Sequence, residues 1–223
     1  MYIKTKRVFD FIVSLLLIVL LLPLIVFIVI LLLLFNHCEV FYLQTRIGLN
    51  NTYFKIFKFS SMLKGSLSMP GGAITLRNDP RVTKLGKFLR ITKLNELPQL
   101  FNVLLGSMSF VGPRPIMDDG FSLYSTDAQK VLYTSKPGIT GISSVVFRDE
   151  ELIVTNSGVV PFLFYKEFVF PYKSKLEIWY YKNKSFLVDI AILFLTGIKI
   201  IVPSSKLEFK IFSSLPKSEF FNF

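Results

Sequence analysis

Asn95 and Glu96 stand immediately before Leu97-Pro98 and an apolar run, and Arg114 follows between Pro113 and Pro115. Proline is tolerated only in the first turn of a helix, so this spacing predicts Asn95 as an N-cap with Glu96 at the first helical position. A helix start offers free backbone N–H groups and a positive dipole end, which suit a phosphate. A first-turn acid such as Glu96 is also favoured there by the dipole alone. Arg114, held in a stiff turn by two prolines, can pair with phosphate oxygens through two parallel hydrogen bonds. Gly138 and Gly141, in Lys136-Pro137-Gly138-Ile139-Thr140-Gly141, allow close backbone approach. Asp149-Glu150-Glu151 reads as a solvated acidic cluster rather than a metal site.

Other parts of the chain must position these groups. Its 223 residues suggest one domain with a membrane element, because hydrophobic residues reach 52% and include 24 Phe and 9 Tyr. A single cysteine, Cys38, excludes an intramolecular disulfide and fits a reducing compartment. His37 and Cys38 lack the further ligands of a metal site and read as interfacial filler. Of the net charge of +11, residues 40–100 carry +8, and the remaining residues are nearly balanced. A basic block after an apolar segment suits anionic lipid headgroups. Nucleic-acid binding is the competing reading of such a patch, and the adjoining apolar segment disfavours it.

That segment runs from Phe11 to Asn36 without a charge. It exceeds the roughly 20 residues needed to cross a bilayer, and no small-x-small cleavage site follows it. Pro23 predicts a kink or break near its middle. Lys4, Lys6 and Arg7 precede the segment and Arg46, Lys55 and Lys58 follow it. Positive charge on both flanks favours a re-entrant hairpin over a single crossing.

Further along, Glu39–Phe59 alternates around Gly48-Leu49-Asn50-Asn51, which predicts two short strands. Ser60–Gly72 reads as a mobile loop. Asp79 and Pro80 predict the N-cap and first turn of a helix. In that helix Leu85, Phe88, Leu89 and Thr92 share one face, while Lys84, Lys87 and Arg90 line another, as on an interfacial or surface helix. Phe186–Val202 reads as an interfacial or core helix, and the tail from Pro203 as accessory. The expected fold is α/β: an N-terminal membrane helix over 1–38, a mainly helical domain with short strands over 39–202, and a tail over 203–223.

Taken in order, these segments resemble the bacterial sugar transferases, the monotopic phosphoglycosyl transferases. The resemblance rests on Lys6-Arg7-Val-Phe-Asp10, Phe41 to Gly48, Phe54 to Phe59, Asn95-Glu96-Leu-Pro98-Gln99, Val111-Gly112-Pro113-Arg114-Pro115 and Pro137 to Gly141. It implies transfer of a sugar phosphate from a UDP-sugar to undecaprenyl phosphate, with release of UMP, at the cytoplasmic face of a bacterial inner membrane. It also implies Mg²⁺ at Glu96 and a role for Arg114 in binding phosphate, with Arg81 and Arg90 as further phosphate or headgroup contacts. Oligomers or glycan-assembly partners are further expectations.

The chain departs from the family at three places. The family's nucleophilic aspartate is Asn95, a second aspartate is Ser107, and the serine before the helix-breaking proline is Leu22. An amide cannot attack as an ionised carboxylate does. Three readings follow: Glu96 takes over the attack, the sugar phosphate passes directly to the lipid, or the chain is a non-catalytic relative that binds or scaffolds. The Pro23, Pro98, Pro113 and Pro115 positions shape the backbone in each case.

Overall fold

Asp10, Ser14, Ile18, Ile25, Ile28 and Leu32 recur at intervals of three, four or seven residues, and they are the buried residues of helix α1, Tyr2–Phe35. This stripe packs on the rest of the protein, whereas Leu16, Val19, Leu20, Leu33, Leu34 and Phe35 are exposed. In the computed structural model, which describes residues 2–35, 39–69 and 79–221, α1 is 34 residues long. At 1.5 Å per residue it is roughly 51 Å in length. The expected break at Pro23 does not occur, and the backbone remains helical through it. In an apolar surround a helix retains its remaining hydrogen bonds because nothing else can satisfy the backbone, and Ile18 and Ile25 are buried on either side of the proline.

The basic opening of α1 ties it to the domain. Arg7 donates to the Val103 and Leu104 carbonyls at 2.7 and 2.8 Å, and Asp10 accepts from the Phe110 N–H at 3.1 Å. Lys6 donates to the Val111 carbonyl at 2.8 Å and pairs with Asp189, which also accepts from Tyr2 and Tyr180 at 2.7 Å each.

Strands β1 (Phe41–Ile47) and β2 (Tyr53–Phe59) form an antiparallel hairpin in which Gln44 faces Ile56 and Tyr42 faces Lys58. Residues 60–69 are held in place: the Ser60 N–H donates to the Val40 carbonyl and the Leu63 N–H to the Arg81 carbonyl, both at 2.9 Å. His37, Cys38 and Pro70–Gly72 lie outside the described residues. Helix α2 spans Lys84–Ile91, with Thr83 as its N-cap accepting from the Gly86 N–H at 3.0 Å. Asp79 therefore does not cap it, because its carboxylate is taken by Arg81 at 2.6 and 2.9 Å. Leu89 is buried on α2, while Phe88 and Ile91 are exposed.

Helix α3 (Gln99–Leu105) follows a tight turn at Leu94–Glu96, which Lys93 enters in the left-handed conformation (φ 61°). Asn95 lies inside that turn and is not an N-cap. Pro98 holds the N-cap position of α3 and no side chain caps it. Asn102 fastens α3 to β2, accepting from the Phe57 N–H at 2.9 Å and donating to the Lys55 carbonyl at 2.8 Å.

Strand β3 (Ser109–Val111) leads through α4 (Asp118–Phe121) and α5 (Thr126–Leu132) to its parallel partner β4, Gly138–Thr140. Gly112, Gly138 and Gly141 meet backbone to backbone, where any Cβ would collide with main chain. Then come α6 (Ile142–Val146), α7 (Glu150–Asn156), α8 (Pro161–Phe164), a wide π turn at Tyr165–Val169, α9 (Phe170–Asn183), α10 (Phe186–Ile201) and α11 (Leu207–Ile211). Val103, Met108, Ile142, Leu176, Ile192 and Leu195 form the centre of the core. The tail is part of this core. Leu215 and Phe221 are buried in it, and Trp179 and Tyr172 donate to Ser214 and the Pro216 carbonyl at 3.0 and 2.8 Å. The described fold is mainly helical, with two two-stranded sheets.

Candidate functional site

Alternation along the β1–β2 hairpin places Tyr42, Gln44 and Arg46 on the same face as Ile56 and Lys58. That face forms one wall of a cavity of about 1710 Å³, which is also lined by Lys93, Asn95, Glu96, Arg114 and the α6–α7 region. The tight turn before Pro98 half-buries Glu96, and the Pro-Arg-Pro turn brings Arg114 to it. The Tyr133 hydroxyl holds this second turn, donating to the Arg114 carbonyl at 3.0 Å and accepting from the Ile116 N–H at 3.1 Å.

Glu96 lies 3.2 Å from Arg114 and 3.9 Å from Lys58. Burial would raise the Glu96 carboxyl, but Arg114, Lys58 and Lys93 outweigh it and hold the group down at about 2. Lys58 is lowered to about 8 by burial, with Arg114, Arg46 and Arg90 adding repulsion and Glu96 opposing it. Burial, then Arg114, lowers Arg46 to about 10, and its Nε is buried without a partner among the described residues. The site thus gathers several cations around one carboxylate. Such a surplus of positive charge in a half-enclosed cavity suits a ligand with several phosphate charges. Asn95 is only 7% exposed, and its Oδ1 has no partner among the described residues.

Residues 1–203 match the profile described as bacterial sugar transferase. The chain belongs to the bacterial sugar transferase family. It is 36% identical over 170 residues to the undecaprenyl-phosphate galactose phosphotransferase of Salmonella typhimurium, covering 70% of this chain and 32% of the relative. Over 196 residues it is 35% identical to the undecaprenyl-phosphate glucose phosphotransferase of Komagataeibacter xylinus, covering 86% and 35%. It is 32% identical over 206 residues to the exopolysaccharide production protein ExoY of Sinorhizobium fredii, covering 86% and 83%. This sugar transferase therefore spans about a third of the length of the first two relatives and most of the third.

The expected site residues of the sugar transferase fall in different places. Asn95, Glu96, Arg114 and Arg90 line the cavity, with Arg90 paired to Glu151. Arg81 is not among the lining residues. It is 4% exposed and bound to Asp79 and to the Ser66 carbonyl at 3.0 Å. Ser107 does not line the cavity either; its hydroxyl donates to the Asn102 carbonyl and accepts from the Asn102 side chain, both at 3.2 Å. Of the acidic run, Asp149 and Glu151 are solvated as expected, whereas Glu150 is bound to Lys173 at 2.7 Å; both glutamates line the cavity. Sequence reasoning missed Arg46, Lys58 and Lys93 as site groups. The strand alternation around Tyr42 and Ile56 was the available signal for the first two.

Mg²⁺ takes one or two carboxylates plus substrate phosphates. Glu96 is the carboxylate the cavity offers beside Asn95, and it is already paired with Arg114 and Lys58. No group of three His, Cys, Asp or Glu suited to a metal occurs among the described residues, so the substrate would have to complete the coordination.

Proposed function

We propose that this chain transfers a sugar phosphate from a UDP-sugar to undecaprenyl phosphate at the membrane, initiating a lipid-linked glycan. The observation that carries this reading is the cationic cavity around Glu96 and Arg114, built beside an apolar helix exposed along one side. The names of the relatives support it, among them a UDP-galactose-lipid carrier transferase of Erwinia amylovora, 34% identical over 169 residues.

Asn95 offers no anionic nucleophile. Glu96 is ionised, but it is committed to Arg114 and Lys58, and a carboxylate of such low basicity attacks poorly. Direct transfer is the route this arrangement favours. An oxygen of the lipid phosphate attacks the β-phosphorus of the donor. The bond from that phosphorus to the bridging oxygen breaks, and UMP leaves with the electron pair. Arg114, Lys58 and Lys93 stabilise the charge on the equatorial and leaving oxygens. Bound Mg²⁺, held by Glu96, would neutralise diphosphate charge.

We further propose that the membrane helix, unbroken at Pro23, lies against the domain along its length and that the domain faces the cytoplasm. Residues on both sides of Pro23 pack on the domain, from Asp10 to Leu32. A helix standing across the bilayer away from a water-facing domain would leave one half in contact with lipid alone.

The test is UMP release by reconstituted protein with Mg²⁺ and a panel of UDP-sugars, with and without undecaprenyl phosphate. Direct transfer predicts release only when the lipid is present. Release of one equivalent without lipid, abolished in Glu96→Gln, would assign the attack to Glu96. Silence from the wild type, with activity in Asn95→Asp, would establish a binding or scaffolding relative. The orphaned Asn95 amide is the observation that favours that second reading.

A further inference from the structure

Around Glu96 the cavity wall is cationic, and its lining also includes uncharged polar side chains: Thr140 of β4, Ser143 and Ser144 of α6, and Thr196 of α10. Thr140 and Thr196 satisfy one another at 2.8 Å. The Ser144 Oγ is buried without a hydrogen-bond partner among the described residues. Ser143 is only 3% exposed.

Behind Ser143 stands Glu177 of α9, 2% exposed, with its carboxylate turned to the Ser143 hydroxyl. Burial pushes its carboxyl up to about 7, and Ser143 and Lys173, the groups facing it, pull it only partly back. Lys173 is committed to Glu150. Buried polar groups almost always find partners in folded proteins. The unpartnered Ser144 hydroxyl, beside a Ser143–Glu177 pair with spare hydrogen-bonding capacity, points to a ligand that completes this part of the wall. Hydroxyls donate and accept, and a carboxylate accepts. That set complements a neutral group rich in hydroxyls or amides, and an ionised Glu177 would disfavour a phosphate.

We infer that Ser143 and Ser144, with Glu177 behind them, form the subsite that receives the glycosyl group of the donor and selects which sugar is bound. The inference rests on the transfer reading above and deepens it. With the diphosphate among Arg46, Lys58, Lys93 and Arg114, the sugar on its β-phosphate extends into the same cavity, where Ser143 and Ser144 offer hydroxyls to it. The Ser143 hydroxyl donates to Glu177 and accepts from a sugar hydroxyl, and Ser144 makes a second contact. A sugar lacking the matching hydroxyl leaves these groups unpaired and is rejected.

The test is equilibrium binding of UDP, UDP-glucose, UDP-galactose and UDP-N-acetylglucosamine to the reconstituted full chain and to Ser143→Ala, Ser144→Ala and Glu177→Gln. UDP lacks the glycosyl group. The expected result is UDP affinity within about twofold of wild type in the serine variants, with affinity for the preferred UDP-sugar at least tenfold weaker and the ranking flattened. Equal weakening of UDP and the UDP-sugars would assign the serines to the nucleotide and overturn the inference, as would unchanged sugar preference. If Glu177→Gln fails to fold, the serine variants decide. A wild type that binds neither UDP nor any UDP-sugar overturns the transfer reading itself, and this inference with it.

Discussion

Replacing Glu96 with Gln keeps the shape of the side chain and removes the one carboxylate that Arg114 and Lys58 share. The drop in its carboxyl from 4.5 to about 2 corresponds to about 3.4 kcal/mol of stabilisation at neutral pH. Arg114 is 42% exposed in its side chain, and solvent screening on that side reduces the figure to about 2–3 kcal/mol. Because the folded-state value is the lower one, this stabilisation is complete above 4.5 and fades as the pH falls towards 2. By pH 3 it has dropped to about 1 kcal/mol. For a chain of this size, Glu96→Gln should therefore lower Tm by roughly 5–10 °C at pH 7 and by roughly 2–4 °C at pH 3. Trp179 is the single tryptophan and is buried, so its fluorescence reports unfolding of detergent-solubilised protein directly. A variant whose Tm equals that of the wild type at pH 7, or whose deficit grows as the pH falls, would refute the ion-pair reasoning.

The titration of Lys58 near 8 predicts that UDP affinity falls roughly tenfold between pH 7 and pH 9.5 as that cation is lost. In Lys58→Arg the affinity should stay nearly flat, and a fall as steep as in the wild type would show that another group titrates. Gly138→Ala places a Cβ against the Gly112 amide, where neither backbone can yield, and should cost at least ~3 kcal/mol. Normal yield and Tm for that variant would contradict the packing of β3 on β4. Leu215→Ala should destabilise by about 2–4 kcal/mol, seen as a clear fall in Tm. An unchanged Tm would return the tail to an accessory role.

Much of the architecture was legible because local rules governed it. The alternation from Val40 to Phe59 yields the β1–β2 hairpin, and the close glycine contacts at Gly138 and Gly141 follow from the Pro-Gly-Ile-Thr-Gly run. Local rules failed where a distant group competed. Asp79 could have capped a helix, but Arg81 captures its carboxylate, and the cap passes to Thr83. Glu150 looked solvated because its partner, Lys173, is far away in the sequence. The tail is held by contacts such as Phe168 stacked on Phe220 at 4.2 Å, which no local pattern announces. The helix start at Asn95 failed for a different reason. Lys93 enters the left-handed region, and the chain makes a tight turn before Pro98 can open α3.

The fastening of α1 by Lys6, Arg7 and Asp10 has a consequence for how this protein can be made and divided. These residues supply partners to the end of α3, to β3 and to α10, so the apolar helix is a structural wall of the domain and not a leash attached to it. A fragment starting at Glu39 would remove the α1 donors from those carbonyls, the acceptor from the Phe110 amide and two partners, Tyr2 and Lys6, from the buried Asp189, and would strip the cover from Phe59 and Leu89. Exchanging α1 for an unrelated apolar helix would do the same. The packing of the domain thus depends on α1, and a chain cut between them loses part of its core and several of its hydrogen bonds.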